Sequence, residues 1–149
     1  MSDMERPVFE RPWLANYPPG VPAQVDTKQF SSLAQVLETA CDRFAHRPAF
    51  ENMGRTLTYA DIDRLSRRFA AYLRNDIKLE RGDRVAIMLP NVLQYPVAIF
   101  GALRAGLTVV NTNPLYTARE LRHQLHDAGV SAIVVLENFA ATLAEVLND

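Results

Sequence analysis

Few residues in this chain are spaced for chemistry, and each has a plainer reading beside it. His123 and His126 share a helix face three positions apart, with Asp127 beside them. Two imidazoles and a carboxylate could begin a metal site, but a convincing third ligand is missing, so a solvated helix face is the better reading. Cys41 lies on an apolar helix with only Arg43 nearby to activate it, which favours a small buried hydrophobe over a nucleophile. Gly101 and Gly106 lack dinucleotide-loop spacing; close helix packing and capping account for them. The sequence holds no glycine-lysine phosphate loop, no G-x-S-x-G elbow, and no paired acids after the apolar run that ends in "MLPN". The run "RLSRR" (64–68) has helical spacing without interleaved aromatics, and reads as a solvated face rather than an RNA surface.

One stretch keeps a functional reading: "NTNPLYT" (111–117). It follows an apolar run and precedes a helix start. Open α/β sheets bind ligands just past the carboxyl ends of their strands. A helix start adds free N–H groups and a partial positive charge, although Thr117, as the cap, should occupy some of those donors. Asn113, Pro114 and Tyr116 are therefore the candidate ligand-facing residues, with asparagine as a polar contact and tyrosine as an aromatic surface. The plainer alternative is that Asn113 and Pro114 shape a tight turn and Tyr116 packs into the body.

The elements that would position this loop follow from the hydrophobic pattern. With 149 residues, 48% of them hydrophobic and 22% charged, the chain can bury one core. Its formal charge of -1 gives no field that would favour nucleic acid. A single cysteine excludes an internal disulfide and suits a reducing cytoplasm. The N-terminus lacks the apolar stretch of a signal peptide, and no run is long enough to span a bilayer. Residues 1–30 are proline-rich and aperiodic, an extended arm with Trp13, Leu14, Tyr17 and Phe30 available to pin it down.

From Ser32 the spacing of Leu33, Val36, Leu37, Ala40 and Phe44 predicts an amphipathic helix. "PAFENMGRTLTY" predicts a hairpin about Met53 and Gly54. Thr58 and Asp61 form a capping-box signature for a helix with Ile62, Leu65, Phe69, Tyr72 and Leu73 inward. The apolar runs 84–89, 107–110 and 131–136 then alternate with helical segments around residues 94–104 and from Thr117, with Gly106 and Gly129 at the helix ends. A last helix is expected within "NFAATLAEVLND". The fold class is α/β: a doubly wound parallel sheet with flanking helices and a small N-terminal hairpin.

Several blocks in order carry a resemblance. "LTYADIDRLSRRFAAYL", "RGDRVAIMLPN", "FGALRAGLTVVNTNPLYTAREL" and "HDAG" resemble the start of the AMP-forming acyl-CoA synthetases, across residues 31–137. "WLANYPPGVPAQV" and "NPLYTARELRHQL" are similar to bacterial long-chain fatty acid–CoA ligases. Ala118 departs from that group, which often has proline there; proline would pre-set the first helical turn. The resemblance implies that residues 31–149 are an N-terminal α/β subdomain of a longer adenylate-forming enzyme, and that the chain is a fragment, whether excised or naturally truncated. It implies a parent reaction in which a fatty carboxylate attacks the α-phosphate of ATP and expels pyrophosphate, after which the thiol of CoA displaces AMP. Such a parent would use ATP, CoA and Mg2+. Its phosphate-gripping loop, its magnesium-holding Thr-Glu pair, its ribose-binding aspartate and its catalytic lysine are not in this sequence, so the fragment is expected to be inactive and to carry no catalytic, ATP-binding or metal residue. The resemblance further implies that Asn113, Pro114 and Tyr116 face CoA. It implies a cytoplasmic parent, with peripheral contact at the inner membrane left open and no nucleic-acid partner. Self-association through exposed apolar faces is expected of the fragment. A ligase for another carboxylate, such as an aromatic acid, or a non-enzymatic interaction module remain alternatives.

Overall fold

The computed structural model describes residues 11–147. The chain divides into two compact units, one ending at Ser31 and one beginning at Ser32. In the first, Pro12–Asn16 form one 3-10 turn with no buried residue. The first ten residues of the expected arm, and residues 148–149 of the expected last helix, lie outside the described residues.

The second unit opens with helix α1 (Leu33–Phe44), whose first free N–H groups are capped by the Ser32 hydroxyl, which accepts from Gln35 N. A hairpin of β1 (Pro48–Asn52) and β2 (Arg55–Thr58) follows. Its turn places both Met53 and Gly54 at positive φ, 49° and 70°, as a two-residue hairpin turn requires. Helix α2 (Tyr59–Asn75) starts on the expected capping box: Thr58 accepts from Asp61 N while the Asp61 carboxylate accepts from Thr58 N.

The rest is strand β3 (Arg84–Met88), helix α3 (Gln94–Arg104), strand β4 (Thr108–Asn111), helix α4 (Ala118–Asp127), strand β5 (Ala132–Val135) and, after a short 3-10 turn, helix α5 (Ala140–Leu147). The three strands are parallel in the order β4-β3-β5. The first crossover moves one strand to one side of β3 and the second returns past it. Right-handed crossovers in opposite directions put α3 and α4 on opposite faces, which is the doubly wound arrangement. Helix α3 packs on α1 and α2, and α4 packs on α5.

Strand β3 is the centre of the core: Val85, Ala86, Ile87 and Met88 are each 0% exposed. On its α3 side, Leu73, Leu79, Ala102 and Leu107 close around Val85. A second cluster of Leu37, Cys41 and Ile62 joins α1, α2 and the hairpin. At Gly101 a Cβ atom would stand 2.7 Å from Phe69 Cδ1 and 3.1 Å from Ser66 O, so α3 approaches α2 almost backbone to side chain. Gly106 adopts φ 77° just past the end of α3, the conformation of a helix C-cap glycine.

Three expectations need correcting. Leu33 and Val36 are exposed, because α1 buries only the line through Leu37 and Cys41. Tyr72 is also exposed, while Ser66, which hydropathy assigned to no core, is fully buried in α2 where α3 comes closest. Strand β4 begins one residue later than the apolar run and includes Asn111: Leu107 N donates to the end of α3 at Ala102 O, and the ladder starts with Thr108.

Candidate functional site

The expected ligand-facing loop is a tethered turn at the carboxyl edge of the sheet. Asn111 ends β4, in register with Ile87. Thr112 follows, 4% exposed, its N–H donating to Ile87 O at 3.1 Å and its hydroxyl to Val110 O at 3.3 Å. The chain then turns: Tyr116 N donates to Asn113 O at 3.1 Å, and Asn113 Oδ1 accepts from Leu115 N at 3.0 Å. Proline at the second position of such a turn fixes the φ it needs, and asparagine at the first supplies the side-chain acceptor. Asn113 is exposed, Pro114 and Tyr116 are half-buried, and Leu115 at the tip is 81% exposed. The three residues singled out from the sequence are thus brought into one turn.

Two further residues, missed by sequence reasoning, hold that turn at its root. Tyr95 in α3 donates its hydroxyl to Asn111 Oδ1 at 2.8 Å, and Gln124 in α4 donates Nε2 to Asn111 O at 3.2 Å. These links join residues 16 and 13 positions apart, so no periodicity could reveal them. At the exit, the second capping box is present: Glu120 N donates to the Thr117 hydroxyl, and Glu120 Oε2 accepts from Thr117 N at 2.9 Å. The backbone N–H and hydroxyl of Thr117 hold the Glu120 carboxyl below its usual range. The start of α4 therefore already carries its own anion, which takes up the N–H of Thr117.

Other chemical candidates lie apart from the turn or are engaged elsewhere. His123 and His126 are both exposed on α4. Among the described residues no group of three or more His, Cys, Asp or Glu is arranged to hold a metal ion. Cys41 is buried, its Sγ donating to Tyr59 O at 3.3 Å, and burial pushes its thiol up, opposite to what a nucleophile needs. Two of the three arginines of "RLSRR" have acidic partners on their own helix: Arg64 pairs with Asp61 at 3.1 Å and Arg67 with Asp63 at 3.0 Å. An apolar cleft of about 430 Å³ lies between the hairpin and the start of α3, with Phe50, Tyr95, Ile99 and Phe100 on its walls and Asn52 tied across it to Asn91 O. No helix among the described residues is long and apolar enough to cross a membrane.

The turn thus follows an edge strand, β4, and not a central one, because among the described residues β4 pairs with β3 alone in this doubly wound parallel sheet. The family model described as AMP-binding enzyme matches residues 37–149. The chain belongs to this family. It is 54% identical over 139 residues, 93% of its length, to a long-chain fatty acid–CoA ligase of Yersinia pestis, and spans 25% of that protein. It is 44% identical over 89 residues to 4-coumarate–CoA ligase 1 of Oryza sativa subsp. japonica, covering 59% of the chain and 16% of that protein. The crystal structure of a benzoate CoA ligase from Burkholderia xenovorans LB400 superposes with a TM-score of 0.76 at 23% identity, over 80% of this chain and 24% of that one, a likeness of fold alone. The chain thus spans about a quarter of the length of the long-chain ligase and of the benzoate ligase.

Proposed function

We propose that this chain forms part of the N-terminal scaffold of an AMP-forming ligase that joins a long-chain fatty acid to CoA at the expense of ATP. The observation that carries the reading is the 54% identity across 93% of the chain to a protein of that activity. The 4-coumarate ligase match supports a second reading, a ligase for an aromatic acid, but it is lower in identity and covers less of the chain.

Activating a carboxylate on ATP requires cations and donors arranged around phosphate. Among the described residues no group of three or more His, Cys, Asp or Glu is gathered, and Thr117 N and Glu120 N at the start of α4 are taken by its own cap. No ATP or metal chemistry is assigned to them. The sheet holds the 113–116 turn at its carboxyl edge. In this reading Asn113, Pro114 and Tyr116 form one wall of the CoA site. Asn113 keeps its side-chain nitrogen as a donor, since Oδ1 is bonded within the turn. Tyr116 offers a half-buried ring. The reading includes a cytoplasmic enzyme, peripheral contact with the membrane that holds its fatty substrates, and self-association of the 149-residue chain.

The test uses the full-length enzyme. Activity on long-chain fatty acids and little on aromatic acids is expected; the opposite profile overturns the substrate assignment. Tyr116→Ala should raise the KM for CoA in the thioester step by about fivefold, the scale of one aromatic contact, with adenylate formation nearly unchanged. If both half-reactions fall together with stability, or neither changes, the turn is structural and the CoA assignment is wrong.

A further inference from the structure

We propose that Tyr95 is a positioning residue for the 113–116 turn, acting through Asn111 on the thioester step; the proposal rests on the CoA reading above. Three observations support it. First, Tyr95 is itself fixed. It lies in the first turn of α3, its N–H donates to Val92 O at 3.0 Å, and its ring packs against the cluster of Ile87, Leu89 and Ala98. Second, Asn111 is gripped by helices whose crossovers lie on opposite faces of the sheet: the Tyr95 hydroxyl reaches its side chain and Gln124 Nε2 its carbonyl. Third, only the buried Thr112 separates Asn111 from the turn.

Each tether has a separate structural effect. The N–H of Thr112 to Ile87 O continues the sheet and fixes where the chain leaves it. The Tyr95 hydroxyl adds nothing to the ladder or to the core; it constrains the side chain of the last strand residue, and with it the angle at which the turn projects. Loss of that hydroxyl should therefore leave the fold in place and loosen the turn. The ring also lines the apolar cleft beside the hairpin, so a direct role in that cleft is the competing explanation. Asn111 does not line that cleft, and its variants separate the two roles.

The experiment compares Tyr95→Phe, Asn111→Ala, the double variant and Tyr116→Ala in the full-length enzyme. It measures ATP–pyrophosphate exchange, the KM and kcat for CoA in the thioester step, and amide hydrogen exchange across residues 112–117. Tyr95→Phe should raise the KM for CoA roughly threefold to tenfold, the range of one net hydrogen bond, and speed amide exchange in the turn, with ATP–pyrophosphate exchange unchanged. Asn111→Ala should do the same, and the double variant no more than either single one. Unchanged amide exchange in Tyr95→Phe, or additive effects in the double variant, overturns the proposal. If Tyr116→Ala raises the KM for CoA and Tyr95→Phe does not, the positioning role falls and the CoA reading stands. If neither raises it although amide exchange quickens, the CoA reading falls and takes the role in the thioester step with it.

Discussion

Asp63 accepts hydrogen bonds from two arginines at different places in the fold. Arg67, one turn along α2, reaches both carboxylate oxygens at 3.0 Å, and Arg104, at the end of α3, reaches Oδ1 at 2.6 Å. The Arg104 side chain is only 6% exposed and has Glu38 of α1 as a second partner at 3.5 Å. Burial pushes the Asp63 carboxyl up, but the hydrogen bond from Arg67 and the charges of Arg104 and Arg67 outweigh it, and the group titrates below its usual range. The sign of the pH dependence follows. In the unfolded chain the carboxyl takes up its proton near pH 4, while the folded one resists until lower pH. The contribution is complete above that unfolded value and is lost as pH falls through the folded one. Asp63→Asn should cost about 2 kcal/mol at neutral pH, the scale of hydrogen bonds to a charged group, and should flatten the loss of stability below about pH 4. Urea midpoints at neutral pH and at about pH 3 for both proteins check this; parallel pH dependences would mean that the carboxylate contributes nothing specific.

At the scale of elements, the contact of α2 with α3 decides where the carboxyl edge of the sheet stands, since α3 carries Tyr95 at its start and Arg104 at its end. The contact depends on the missing side chain of Gly101. Alanine is the better helix former by about 1 kcal/mol, so on propensity alone Gly101→Ala would stabilise the protein. Its Cβ, however, would meet Phe69 Cδ1 at 2.7 Å, with Phe69 Cβ and the Ser66 carbonyl both at 3.1 Å. The ring could turn, but the backbone oxygen cannot move without its helix. Overpacking of this kind costs about 1–3 kcal/mol, which exceeds the propensity gain. Net destabilisation of roughly 1 kcal/mol is expected, measured as a lower denaturant midpoint with unchanged slope. A rise in stability would show that the helices separate freely. The reading of Gly101 as a packing residue came from its place inside an apolar helix; its partner could come only from the fold.

For the molecule as a whole, the β5 edge of the sheet matters. Among the described residues β5 pairs only with β3, and its sequence "AIVV" has no charge, proline or bulge to discourage another strand. Beside it, Phe69, Leu89, Val97, Val134 and Leu136 line an apolar hollow of about 310 Å³. An unpaired apolar edge next to an apolar hollow favours association. The 149-residue chain should therefore sediment as dimers or larger species at high concentration, and Val134→Lys should shift it toward monomer. A clean monomer of the unsubstituted chain at high concentration would refute this. The same preparation, free of host ligase, should show no ATP–pyrophosphate exchange, because the sequence holds no glycine-lysine phosphate loop; exchange above background would overturn that expectation.

What was legible along the chain was local. The boxes Thr58–Asp61 and Thr117–Glu120, the Met53–Gly54 turn and the glycine after α3 each depend on residues within one turn of one another, so their spacing is their structure. The three apolar runs could likewise be read as parallel strands, and Asn113, Pro114 and Tyr116 as neighbours at one edge. Features that depend on spatial neighbours were not legible. "RVAIM" and "AIVV" read alike, yet β3 is covered by strands on both sides and β5 by one, so β3 is buried at every position but its first and β5 only half-buried. Asp63 with Arg104, and Tyr95 with Asn111, are pairs of polar residues with no periodic signal, 41 and 16 positions apart. They meet only because two helices and a strand end close on one another, and a hydrogen bond fixed in that way is set by packing geometry rather than by the order of residues along the chain.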